Sequence, residues 1–192
     1  EWKKMSGSSF AIPQAGIFVK KDKLENIYVK QVLNNMKNSK VYHQKISRYI
    51  KGEIAMVKIL AGEKGEGKTK KMIDMANAAG KEAKGSIIYV DDDNSHMYDL
   101  HHSVRFVETP GFIMDDPMVF RGFVCGILSQ NSDIETIYID GLNHIMNKIS
   151  NEDFVSFVQE LDKTSKEAEM DLVMIISKKT DELPEEVKQY LI

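Results

Sequence analysis

A chain of 192 residues with 42% hydrophobic content is long enough for one ordinary domain with a core of its own. Charged residues make up 29%, and no apolar stretch approaches the roughly 20 residues that cross a bilayer, so membrane insertion is not expected. The single cysteine, Cys125, cannot close an internal disulfide and offers no metal-binding pair, which fits a reducing, cytoplasmic setting.

The net charge of −3 hides an uneven distribution. Residues 1–55 carry eleven basic and four acidic residues (net +7), and residues 56–192 carry 15 basic and 25 acidic ones (net −10). The larger part is therefore a poor nucleic-acid surface, and only the basic arm has the sign for a phosphate backbone or an anionic lipid. Residues 1–20 show no clean period, and 23–50 read as a basic amphipathic helix with Leu24, Ile27, Leu33 and Met36 on one side. No leader with a charged start and an apolar middle is recognisable. Lys51-Gly52-Glu53 can be encoded by AAA-GGA-GAA, a string that contains a ribosome-binding sequence, and Met56 follows closely. The hypothesis is that the native protein starts at Met56 and that residues 1–55 are upstream sequence read through. An intact mass of the natively expressed protein that includes them would end it.

From residue 54 the pattern alternates strand and helix. Ile54–Ala61 is a short apolar strand, 62–67 a glycine-rich loop, and Lys68 to about Ala83 a helix with Met72, Ile73, Met75 and Ala76 at helical spacing. Ser86–Val90 is a second strand, stopped by Asp91-Asp92-Asp93-Asn94, and Val104–Val107 a third, weaker one. Asp115-Asp116-Pro117 supplies a cap and a first-turn proline for a helix over Met118–Leu128. Ile137–Ile139 lies in a fourth strand ending at Asp140. Asn151-Glu152-Asp153 opens a helix towards Ala168, Leu172–Ile176 is a fifth strand, and Pro184–Leu191 a closing helix. Strands separated by helices predict parallel pairing, hence an α/β sandwich rather than an α+β fold.

Gly62-Glu63-Lys64-Gly65-Glu66-Gly67-Lys68-Thr69 satisfies G-x-x-x-x-G-K-[ST] completely, between an apolar strand and a helix. Glycines let the backbone wrap a phosphate with its N–H groups, and the helix adds its positive dipole end. In this reading Lys68 reaches the β- and γ-phosphates and the Thr69 hydroxyl binds Mg²⁺. Asp140, at the end of an apolar strand, is the matching acid for the metal's water shell; as a plain residue it would cap the turn before Gly141. Residues 56–192 thus read as a nucleotide-binding domain behind a basic extension of residues 1–55, with ATP and Mg²⁺ as the expected cofactors.

Beyond the loop, residues 56 to about 180 resemble the RecA-like ATPases among the P-loop NTPases. The resemblance implies a three-layer sandwich around a mainly parallel five-stranded sheet of order 3-2-4-5-1. It places Asp93 where the family's water-polarising acid is expected, and Ser177-Lys178-Lys179 where a residue sensing the γ-phosphate follows the last strand, with Lys178 as the candidate. The departures are an Asp where the family normally has Glu, Lys where the sensor is often Gln or Asn, and an ending where further strands usually follow. Read without the family, Asp91–Asp93 is a solvated acidic turn and the two lysines are surface charges.

Other branches fit less well. The partition ATPases carry a lysine where Glu63 stands. GTPases read guanine with N-K-x-D, and Lys178-Lys179-Thr180-Asp181 lacks the Asn. Small nucleotide kinases clamp two phosphate chains with several arginines, whereas this chain has only Arg48, Arg105 and Arg121. Short proteins of this look are also loosely labelled PilT-like, but the histidine and acidic boxes of those motors are not evident.

His96, His101 and His102 read as loop histidines rather than a metal set, and Asn143 and His144 as polar residues just past Asp140. Arg105 and Arg121 are ordinary surface charges, or arginine fingers should subunits assemble. The leading expectation is a slow Mg-dependent ATPase with Lys68, Asp93 and Asp140 carrying catalysis. The alternatives are a nucleotide-dependent binding module or switch, with a protein partner still to be found, and a GTP-binding protein. If the arm is real, a nucleic-acid-associated ATPase joins them.

Overall fold

The computed structural model describes residues 56–109, 116–142 and 148–192, together with three short strands near the N-terminus. The helix expected over 23–50, and Asp115, Asn143 and His144, lie outside the described residues. The chain divides into two units, Glu1–Glu53 and Ile54–Ile192.

In the first unit, β1 (Lys3–Lys4), β2 (Ser9–Ile12) and β3 (Ile17–Lys20) form an antiparallel sheet in that order, with Phe10 opposite Val19 and Ile12 opposite Ile17. Strands this short cannot establish an alternation, which is why residues 1–20 carry no readable period.

The second unit runs β4 (Val57–Ala61), α1 (Lys68–Glu82), β5 (Ser86–Asp91), β6 (Val104–Glu108), α2 (Pro117–Gln130), β7 (Ile134–Ile139), α3 (Asn151–Ala168), β8 (Asp171–Ile176) and the short α4 (Glu185–Lys188). Its five strands are all parallel, in the order β4-β8-β7-β5-β6. Numbered along the chain from the strand before the glycine loop, this reads 3-2-4-5-1 from the β6 edge.

Both faces of the sheet are covered, so the strands read as apolar runs rather than as alternations. Along β8, Leu172, Met174 and Ile176 pack with Phe120, Val124, Phe154, Phe157, Val158 and Leu161 of α2 and α3. Val173 and Ile175 point the other way, to Met72, Ile73 and Ala76 of α1, beside Leu60, Ile87, Tyr89 and Tyr138. The result is a three-layer α/β sandwich. The expected closing helix is shorter than its sequence pattern, because the last residues leave it to pair with the free edge of β4. Ile59 donates to the Tyr190 carbonyl (2.8 Å) and accepts from the Ile192 N–H (3.1 Å).

Helix starts differ in a way that matters for the site. Asp116 caps α2 through the Met118 and Val119 N–H groups, with Pro117 behind it. Ser150 caps α3 by accepting the Asp153 N–H and donating to the Asp153 carboxylate. At α1 the cap position is Gly67, with no side-chain cap at all. Its leading N–H groups are left for another acceptor.

Candidate functional site

The loop between β4 and α1 is built on backbone conformations that only glycine adopts without strain. Gly65 has φ 93° and Gly67 φ 77°. The loop is tied at both ends: the Gly62 N–H reaches the Ile176 carbonyl at the end of β8 (3.3 Å), and the Lys71 N–H reaches the Gly67 carbonyl (3.0 Å). Within it Lys68 Nζ donates to the Glu63 carbonyl oxygen (2.5 Å), and the Glu63 N–H donates to Glu66 Oε2 (2.8 Å). Lys64 and Gly65 lie exposed at its tip.

Asp140 follows β7 directly, and its N–H bonds the Val90 carbonyl of the neighbouring strand at 2.9 Å. Its Oδ1 accepts the Gly141 N–H and its Oδ2 accepts the Thr69 hydroxyl, both at 2.8 Å. Thr69 and Asp140, 71 positions apart, are thus in direct contact. Gly141 follows at φ 79°, where a Cβ would meet Asp92 Cγ at 2.8 Å.

The three consecutive aspartates separate once the strand's end is known. Asp91 is the last residue of β5 and, by period two, lies on the α1 side with Ile87 and Tyr89. It is only 5% exposed, and burial, then the nearby Asp140 charge, push its carboxyl up to about 7. Asp93 is exposed. Its Oδ1 accepts the Ser95 N–H (2.7 Å) and hydroxyl (2.5 Å), and these bonds hold it below the usual carboxylate range.

Tyr89 is completely buried, stacked between Phe106 and Tyr138 with centroids 6.4 Å away on each side. Its hydroxyl has no hydrogen-bond partner among the described residues, and burial, then Asp140 and Asp91, push its pKa well above the usual phenol value. Sequence reasoning passed over Asp91 and Tyr89. The available signal was the phase of Ser86–Asp91, where a tyrosine in an aliphatic strand shares a face with an acid two residues on.

The lysines after β8 also separate. Lys178 Nζ lies 5.8 Å from the centre of the Phe154 ring. Lys179 Nζ pairs with Glu63 Oε1 at 3.2 Å and so reaches the glycine loop. Of the remaining candidates, Arg121 pairs with Glu160 (3.2 Å), Arg105 is exposed, and His96 and His101 bond Asp99 and Ser103. Among the described residues no three His, Cys, Asp or Glu side chains are grouped to hold a metal, and no helix is long and apolar enough to cross a membrane. A hydroxyl with a carboxylate beside it is nonetheless a hard oxygen pair of the kind Mg²⁺ accepts when water and phosphate supply its other ligands.

The fold and the loop define a class: a parallel α/β unit with a glycine loop leading from the first strand of its sheet, β4, into α1, whose start has no side-chain cap. No family model matches the chain, and no curated protein matches its sequence. Among solved structures it is similar to the flagellar accessory protein FlaH from Methanocaldococcus jannaschii, at 14% identity and a TM-score of 0.44. The likeness covers 71% of this chain and spans 66% of that one. At that distance it concerns the course of the chain alone.

Proposed function

We propose that this chain is an ATP-binding P-loop protein of the RecA-like type and a slow Mg-dependent ATPase. The observation that carries the reading is the 2.8 Å contact between the Thr69 hydroxyl and Asp140, the two side chains assigned to Mg²⁺ from sequence. It joins the start of α1 to the end of β7 across the sheet's carboxyl end, where open α/β sheets take their ligands.

In this reading the backbone of residues 62–69 and the uncapped start of α1 hold the phosphates. Lys68 moves its ammonium from the Glu63 carbonyl to the β- and γ-oxygens. Thr69 and Asp140 would hold Mg²⁺. The ion would supply neutralisation of phosphate charge there. Asp93 orients the attacking water, and a lysine after β8 senses the γ-phosphate: Lys178 by its position in the sequence, or Lys179, the one that reaches the glycine loop. Asp91 is the neighbour that competes for the first role. Catalysis is then positioning and charge stabilisation.

The Asp93–Ser95 bonds specifically favour a second reading, a nucleotide-dependent switch with little hydrolysis, because both fall on Oδ1 and hold the carboxylate below its usual range, which weakens it as a base toward water. Phosphate release with MgATP and with MgGTP, with and without residues 1–55 and added DNA, separates the readings. The ATPase reading expects slow release from MgATP that Asp93→Asn abolishes while leaving binding intact. If Asp91→Asn rather than Asp93→Asn removes turnover, the base is Asp91. Tight binding with no release is the switch, and preference for MgGTP would sink the ATP assignment.

A further inference from the structure

Two glutamates sit inside the eight-residue loop, and one residue, Glu63, gathers the loop's charges. Its carbonyl accepts Lys68 Nζ (2.5 Å), its N–H donates to Glu66 Oε2 (2.8 Å), and its carboxylate pairs with Lys179 Nζ (3.2 Å). The Glu66 side chain folds back over Gly62, so that a Cβ built there would overlap Glu66 Oε2 and lie 3.6 Å from Lys68 Cδ. The Glu66 carboxylate and the Lys68 stem therefore crowd the same glycine, and the Lys68 ammonium sits on the next carbonyl, that of Glu63. Phosphate approaching Lys68 meets a negative charge already seated on a loop amide, and both are solvent-accessible enough to exchange.

We infer that the Glu66 carboxylate is an anion built into the glycine loop that nucleotide phosphate must displace, which holds the affinity of this chain for nucleotide down. The inference rests on the reading of residues 62–69 as a phosphate loop. The backbone of Glu66 is part of that loop, its N–H turned to the Glu63 carbonyl (3.4 Å), while its side chain opposes binding. Without the phosphate, Glu66 compensates an anion-attracting turn; with it, like charge a few ångströms away in a solvated loop weakens binding about fivefold.

The test is calorimetric titration of MgADP and MgATP into the full chain, its Glu66→Gln and Glu66→Ala variants, and Lys68→Ala. Glu66→Gln keeps the side chain's shape and guards against a loop that collapses in Glu66→Ala. The expected result is wild-type binding, binding weakened about a hundredfold or more in Lys68→Ala, and about fivefold tighter binding by both Glu66 variants. Binding by the Glu66 variants alone would support the inference still more directly. Wild-type binding with both Glu66 variants equal or weaker overturns the inference and leaves the phosphate loop standing. Absence of binding in all four proteins overturns both.

Discussion

The sheet ends in two sets of carboxylates that are buried alike and partnered differently. At the amino end, Asp162 is 5% exposed and fully engaged: Oδ1 accepts the Val57 N–H (3.3 Å), and Oδ2 accepts Lys166 Nζ (2.5 Å) and the Tyr190 hydroxyl (3.3 Å). Beside it Asp171 takes the Met56 N–H (3.3 Å) and Lys58 Nζ (2.9 Å). At the carboxyl end Asp91 is also 5% exposed, but its neighbour is another acid, Asp140, and its carboxyl is pushed up to about 7. Burial with cations and donors fastens α3 and the chain's last strand pairing to the start of β4. Burial beside a like charge leaves a group poised to change state. The first end reads as stability and the second as chemistry.

If that division is right, variants at the two ends should move different measurements. The largest effect is expected from Lys68→Ala, which removes charge-assisted phosphate contacts worth ~3 kcal/mol or more and so weakens MgATP binding by about a hundredfold or more. Its urea midpoint should stay near that of wild type. Undiminished affinity would refute the loop assignment.

Asp162→Ala should do the reverse. It strands the Val57 N–H and the Tyr190 hydroxyl, both buried, and costs about 3 kcal/mol in equilibrium unfolding, while MgATP affinity in the folded fraction is kept. A loss below about 1 kcal/mol would mean that the amino-end cluster is no fastening.

Asp91→Asn tests the poised end through pH. The folded carboxyl is raised from 3.8 to about 7, so its favourable contribution is complete below the lower value and disappears as pH rises to the upper one. Asn cannot titrate. Stability of wild type relative to Asp91→Asn should therefore fall across that window and level off above it. A flat difference between thermal melts from pH 4 to pH 8 would remove Asp91 from the poised end.

The smallest and sharpest comparison is between the two adjacent lysines. Lys179→Met breaks a half-exposed ion pair with Glu63 and should change stability by less than about 0.5 kcal/mol, yet alter MgATP affinity severalfold. Lys178→Met, whose ammonium rests over Phe154, should leave that affinity within error. The opposite pattern would return the sensing role to Lys178 unshared.

Much of this arrangement was legible before the structure. The glycine loop of Gly62–Thr69 was legible because glycine spacing is a local constraint, and Asp140 stood out because Ile137–Ile139 is an apolar run that ends on it. The choice among Asp91, Asp92 and Asp93 was not legible. A strand extended by one residue puts Asp91 on the α1 face, and that extension is set by pairing of Asp91 with Glu108 of β6, not by residues nearby. The same holds for Lys178 and Lys179, one step of chain apart after β8, where only packing on Phe154 decides which one turns to the loop. Asp162 gave no signal either, since in sequence it is one acid among many along a charged helix.

By itself, then, the sequence determined the alternation of strands and helices, the glycine loop, and the acid at the end of β7, because each rests on local periodicity or on backbone conformations particular to one residue type. Tertiary structure alone decided which acids meet, which lysine reaches the loop, and that the Glu66 carboxylate folds back over Gly62. Those are long-range or rotameric outcomes. A charge's partners, not its place in the chain, determine whether it fastens the fold or stands ready to react.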